Sequence, residues 1–253
     1  MTSLLEVLGA GVVVGIIPLL LGFAPSYFEG GWKPRWAPFS AGLALGFLSL
    51  FFTDLIDDSG GLGVSSGLSV TPTQVVLAAL FFIGFALFFL YPTGSHTDQS
   101  GSPVPVQIAY LVALGIGLHA LGEGMIIVNN LAGQTSIEDF STILQGASFA
   151  MHKFLEGFTI TVFFGQRPRI KNVGICALFA GLPFLFGIPL GMFTYPAILA
   201  NFSFAAGAGA VVYMMTQIPR LFQERRYYYR IVLGFLIGFL IVYSASLIHF
   251  TRF

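Results

Sequence analysis

Long apolar runs alternate with short polar links along the whole chain. A helix needs about 20 predominantly apolar residues to cross a bilayer. Eight stretches reach that length: residues 4–24, 37–56, 73–91, 105–128, 139–165, 172–193, 196–217 and 230–250. The pattern predicts an all-α integral membrane protein with eight transmembrane helices, forming one domain over residues 1–253. Nothing basic precedes the first run, which continues to Ala24 without a clear cleavage site. It therefore reads as a span and not as a secretory signal.

Several runs carry breaks in the helical pattern: Pro18, the pair Pro183 and Pro189, and the glycine-rich segment Phe204–Gly209. Such breaks are tolerated at membrane depth where neighbouring helices or a cavity satisfy the freed backbone. The very short link near Thr194–Pro196 predicts a tight hairpin between the sixth and seventh spans.

The polar links set an orientation. Odd-numbered links hold Lys33, Arg35, Arg167, Arg169, Lys171, Arg220, Arg225, Arg226 and Arg230, nine of the eleven Lys and Arg residues. Even-numbered links hold none and carry Asp57, Asp58, Glu138 and Asp139 instead. Cytoplasmic loops are enriched in Lys and Arg, so the odd links are expected inside and both termini outside. The Gly/Ser/Pro-rich linker at residues 92–104, with His96 and Asp98, is then cytoplasmic.

Composition sharpens the class. Only 9% of residues are charged, 56% are hydrophobic and the mean hydropathy is +0.86, whereas a soluble domain carries about 25% charged residues. The net charge is zero, which gives no basis for nucleic-acid binding. The single cysteine, Cys176, has no partner within the chain for a disulfide and reads as a packing residue. The 31 glycines suit membrane helices, where small residues let backbones approach.

Within the apolar runs the remaining ionisable groups are few. His119 and Glu123 stand four residues apart in the fourth span, and His152 and Glu156 stand four apart in the fifth, with Lys153 between them. Positions i and i+4 share one face of a helix. Ionisable groups at membrane depth are costly and normally functional. Two adjacent antiparallel helices would bring the four together as a borderline N/O site, suited to Zn²⁺, Fe²⁺, Mn²⁺, Co²⁺ or Cd²⁺ and not to Cu⁺. Gly124 and Gly157 follow the two glutamates and are expected to allow close helix approach. Asp54, Asp57 and Asp58, at the outer end of the second span, would form an outer vestibule attracting cations. His249 reads as interfacial, His96 as a lone loop histidine, and Asn129 and Asn130 as the end of the fourth span. Met215 and Gln217 read as pore-lining or packing positions.

These residues resemble the ZIP (Zrt/Irt-like) family of metal transporters. The fourth span of that family commonly carries His-Asn-x-x-Glu/Asp-Gly, which His119, Glu123 and Gly124 match, with Ala120 in the asparagine place. The fifth commonly carries His-x-x-x-Glu and a small residue, matched by His152, Glu156 and Gly157. The second span, from Ala41-Gly42 to Asp54-Leu55-Ile56, is similar to the family's Ala-Gly…Asp-Leu ending, with Asp57 where proline is common. The seventh, Phe204-Ala205-Ala206-Gly207 through Ile218-Pro219, is similar to the family's Phe-Ala-Ala-Gly…Ile-Pro. The order matches along the whole chain.

The resemblance implies eight spans, both termini outside, and a divalent metal as substrate, with no resident cofactor. Many relatives hold two metals, using the asparagine, a polar residue after the fifth-span histidine and a seventh-span acid. Here those places hold Ala120, Lys153 and Met215-Thr216, so one metal is expected. The Lys153 ammonium would take the second cation's space and balance Glu123 or Glu156. Uptake of a divalent metal, Zn²⁺ first, through the plasma membrane is the expected function. An intramembrane zinc hydrolase and a non-transporting sensor or scaffold are the rivals. Small-xxx-small pairs Gly42/Gly46, Gly187/Gly191 and Gly234/Gly238 would serve internal packing or a homodimer.

Overall fold

A computed structural model describes residues 3–27, 36–59, 71–90, 106–132, 140–164, 168–193, 196–221 and 227–250. The linker at 92–104 lies outside them, as do Lys33, Arg35, Glu138 and Asp139. Helices dominate, and no strand occurs among the described residues.

The first span is α1 (Leu4–Gly11) and α2 (Ile17–Gly22), joined by a π-turn at Val12–Ile16. Then come α3 (Ala37–Asp58), α4 (Pro72–Phe89), α5 (Val106–Ala132), α6 (Phe140–Val162), α7 (Ile170–Phe193), α8 (Pro196–Leu221) and α9 (Tyr228–Phe250). All start and stop within four residues of the expected limits. Among the described residues, six segments are long and apolar enough to cross a membrane: Leu4–Ser26, Ala37–Asp58, Pro72–Phe89, Val106–Ile127, Ile170–Met192 and Ile198–Ile218. The chain is thus a multi-pass, membrane-type helical bundle. The other two expected runs form α6 and α9, each 23 residues long.

Local chemistry explains several of the ends. Ser3 and Glu6 form a reciprocal capping box at the start of α1, and Thr71 and Gln74 form another at the start of α4. Each pair satisfies two backbone N–H groups that a helix start leaves free. Pro18 has no N–H for the helix ladder. Just ahead of it the helix widens, and Ile17 N–H donates to Val12 O, five residues back. In α7, by contrast, the helix runs straight through Pro183 and Pro189. Pro183 leaves Phe179 O without its helical donor. That carbonyl faces Gly117 of α5, where a Cβ would collide with it and stand 3.1 Å from the Pro183 ring.

Glycines set the packing throughout. Gly124 of α5 meets Phe184 O and Gly187 of α7. Gly157 of α6 meets Leu19 O and Gly22 of the first span. Gly42 and Gly46 of α3 cross Gly234 and Gly238 of α9, and Gly84 of α4 and Gly209 of α8 meet each other's helix backbone. The pairs Gly42/Gly46, Gly187/Gly191 and Gly234/Gly238 are therefore used in packing inside one chain.

One expectation changes here. Gly124 and Gly157 do not bring α5 and α6 together; each packs its helix against a different partner. A residue following an inward-facing glutamate lies about 100° further round the helix, so it serves the adjacent interface. The link expected to form a tight hairpin, at Thr194 and Tyr195, lies outside the described residues; α7 and α8 themselves make little contact. Both pack instead on α5.

The surface is apolar where a soluble protein's would be polar. Leu5, Phe82, Leu87, Phe186 and Leu240 are all exposed on the outside of the bundle. Such a surface is a liability in water and a match for lipid. The interior holds aromatic and aliphatic groups together with a few polar ones: His119, Lys153, Glu156 and Gln217 are buried.

Candidate metal centre

α5 places His119 and Glu123 one turn apart, and α6 does the same for His152 and Glu156. The two faces look at each other across a gap between helices that are otherwise little in contact. One ligand atom from each of the four residues lies within 4.8 Å of every other. His119 Nε2 is 2.9 Å from Glu156 Oε1 and 3.6 Å from Glu123 Oε2. His152 Nε2 is 3.2 Å from Glu156 Oε1 and 3.5 Å from Glu123 Oε1. A tetrahedron of ligands about 2.0–2.1 Å from Zn²⁺ has edges of roughly 3.3 Å. The nitrogen–oxygen spacings straddle that length.

Two ring nitrogens of the cluster lack hydrogen-bond partners. A carboxylate can only accept, so His119 Nε2 donates to Glu156 Oε1. Its Nδ1 is then a buried atom with no hydrogen-bond partner. His152 Nε2 faces both carboxylates without hydrogen-bond alignment and is also unpartnered. Burying a polar nitrogen without a partner is unfavourable. The Nε2 atoms of both imidazoles face carboxylates at ligand spacing, and with the His119 proton moved to Nδ1 they form with those carboxylates the donor set a divalent cation would satisfy.

Lys153 completes the cluster. Its Nζ donates to Glu123 Oε2 and to both oxygens of Glu156, at 2.8 and 2.9 Å. The side chain is only 2% exposed. The rings of Phe149 and Phe184 lie 5.6 and 5.4 Å from the ammonium on other sides, within cation–π range. Lys153 therefore turns inward and does not snorkel toward an interface.

Neighbouring helices wall the cluster. From α3, Phe51 packs against His152 with ring centroids 4.3 Å apart and the rings tilted by 37°. From α8, Gly207 packs directly on His119, and the Phe204 ring lies against Gly122. Ser203 Oγ donates to Leu118 O beside His119. A small cleft of about 20 Å³ opens onto the cluster, lined by Phe51, Asp54, Leu55, Asp58, His119, Glu123, His152 and Phe204. On that scale one water needs roughly 10–15 Å³, so the cleft admits one water or one ion at a time.

The acids of α3 divide. Asp54 and Asp58 line the cleft with Phe51 and Leu55, in the i, i+3, i+4, i+7 pattern of one helix face. Asp57 is exposed and is not part of the lining. Met215 and Gln217 stand on α8 eight and ten residues beyond Gly207. That puts them about 12–15 Å along the axis from the His119 level, away from the cleft. Gln217 is buried and donates to Thr216 Oγ1, and Met215 packs against the core. The side chains of His249, Asn129 and Asn130 lie outside the described residues.

Phe51, Phe149, Phe184, Ser203 and Gly207 are the contributors that spacing alone did not single out. Phe51 had a signal in hindsight, since it lies three residues before Asp54 on the same helix face. Phe149 and Phe184 had none, because phenylalanine is common throughout the chain. No protein-family model matches this chain, and no curated protein matches it.

Proposed function

We propose that this chain moves a divalent transition metal, Zn²⁺ first, into the cytoplasm across the plasma membrane, as a ZIP-like transporter. The observation that carries the reading is the convergence of His119, Glu123, His152 and Glu156 at ligand spacing in a membrane-type bundle. The small cleft lined by Asp54 and Asp58 supplies access to the cluster. Asp54 and Asp58 concentrate cations there. The ion sheds water, takes its four ligands, and a shift of one helix group against another opens the site to the other side. An inside-negative potential favours the inward direction by about 2.3 kcal/mol per charge per 100 mV. The orientation with both termini outside follows from the charge of the links and belongs to the same proposal, as does the count of eight spans.

Metal uptake into proteoliposomes tests the reading. Saturable Zn²⁺ uptake is expected for the wild type and is expected to vanish in His119→Ala and Glu156→Ala. Metal binding without flux for Zn²⁺, Mn²⁺, Fe²⁺ or Cd²⁺ would instead identify a sensor or scaffold. Metal-dependent hydrolysis without flux would identify an enzyme.

A further inference from the structure

A metal site of two imidazoles and two carboxylates is complete without Lys153, yet Lys153 is buried against both of its carboxylates. It is also positioned to remain there. Carboxylate oxygens hold its ammonium, and the rings of Phe149 and Phe184 lie within cation–π range of it. The oxygens divide unevenly between nitrogen partners. His152 Nε2 faces Oε1 of both glutamates, and His119 Nε2 bonds Oε1 of Glu156 and lies 3.6 Å from Oε2 of Glu123. Lys153 takes Oε2 of both, reaching Oε1 of Glu156 as well. The ammonium and the imidazoles thus share the oxygens of the same two carboxylates, and a bound metal would draw on those carboxylates beside Lys153.

We infer that Lys153 is a tethered counter-charge that lets the metal-free carrier return empty, making this protein a net facilitator and not an obligatory exchanger. The inference rests on the transport reading above. Its basis is charge arithmetic. With neutral imidazoles, the empty site carries Glu123, Glu156 and Lys153, a net charge of −1, and a bound dication raises it to +1. Without the lysine the same two states would carry −2 and 0. The cost of holding charge in a low-dielectric interior grows as its square, so the worst state is about fourfold less unfavourable with the lysine present. Lys153 thus spreads the burden evenly over the loaded and empty half-cycles. Remove it, and the loaded site moves neutral while the empty site must move with two carboxylates and no counter-charge, Glu156 fully buried and Glu123 facing the cleft.

The predicted signature is kinetic. Net zinc uptake into vesicles empty of metal should run in the wild type within about twofold of isotope exchange against internal zinc. In Lys153→Met, net uptake should fall by about tenfold or more while exchange is largely kept, so internal zinc now accelerates uptake. Lys153→Arg keeps the charge and should restore net uptake relative to Lys153→Met. Strong acceleration of wild-type uptake by internal zinc overturns the inference, and that arm stands even if Lys153→Met does not fold. Equal loss of net uptake and exchange in a folded Lys153→Met also overturns it. Absence of zinc movement by the wild type in both formats overturns the transport reading and the inference together.

Discussion

The two sides of α5 are built in opposite ways. Toward α7 it is dry and close: Gly117 and Gly124 press onto Phe179, Phe184 and Gly187, backbone against backbone. Toward α6 it is held apart: His119 and Glu123 reach across a gap to His152, Lys153 and Glu156. Residues 123 and 124 are neighbours in sequence and belong to different interfaces. Where a membrane helix must pack, glycine removes the side chain. Where it must bind, charged side chains hold the partner helix off and need ions or each other to be tolerated. The close interface fixes the helix, and the open one does the chemistry.

The largest effect should come from breaking the close side. Gly124→Leu puts a side chain into Phe184 O and Gly187, which are backbone and cannot turn aside. The cost should exceed the roughly 1–3 kcal/mol usual for overpacking. Loss of the monodisperse species in detergent would show it. Gly146→Leu, where a Cβ meets nothing within 4 Å, is the control and should be tolerated. Equal damage from both would mean that the contrast between the two sides of α5 is not what matters.

Removing a ligand breaks the open side more gently. Loss of partners beyond the ligands already weakens metal sites by about 10–100-fold, so His119→Ala should cost roughly 100-fold or more in zinc affinity. The fold should survive, because α5 stays fixed by α7 and α8. Zinc titration alongside thermal unfolding separates the two quantities.

The smallest effect concerns the approach to the site. Asp54→Asn or Asp58→Asn should lower the uptake rate about two- to threefold, more at low ionic strength, as expected for steering by charge. Asp57→Asn should leave it unchanged, since Asp57 is outside the cleft lining. Salt-dependent initial rates would distinguish the three. Equal effects would mean that bulk negative charge, and not the cleft-facing stripe of α3, draws the cation.

The sequence by itself determined the helical rods and their limits, because runs of apolar residues near 20 long leave the backbone no other way to satisfy itself in lipid. It also determined that His119 pairs with Glu123 and His152 with Glu156 on shared helix faces, since i and i+4 always coincide. What it left open needed the third dimension. Which helix each glycine meets depended on how far round the helix it stands from the inward-facing glutamate. Hence Gly124 went to α7 and Gly157 to the first span. Only the packing separated Asp57 from Asp54 and Asp58, kept Met215 and Gln217 away from the cleft, and surrounded Lys153 with Glu123, Glu156, Phe149 and Phe184. Periodicity within one helix is a local property written in spacing; which faces of different helices meet is settled jointly by all of them.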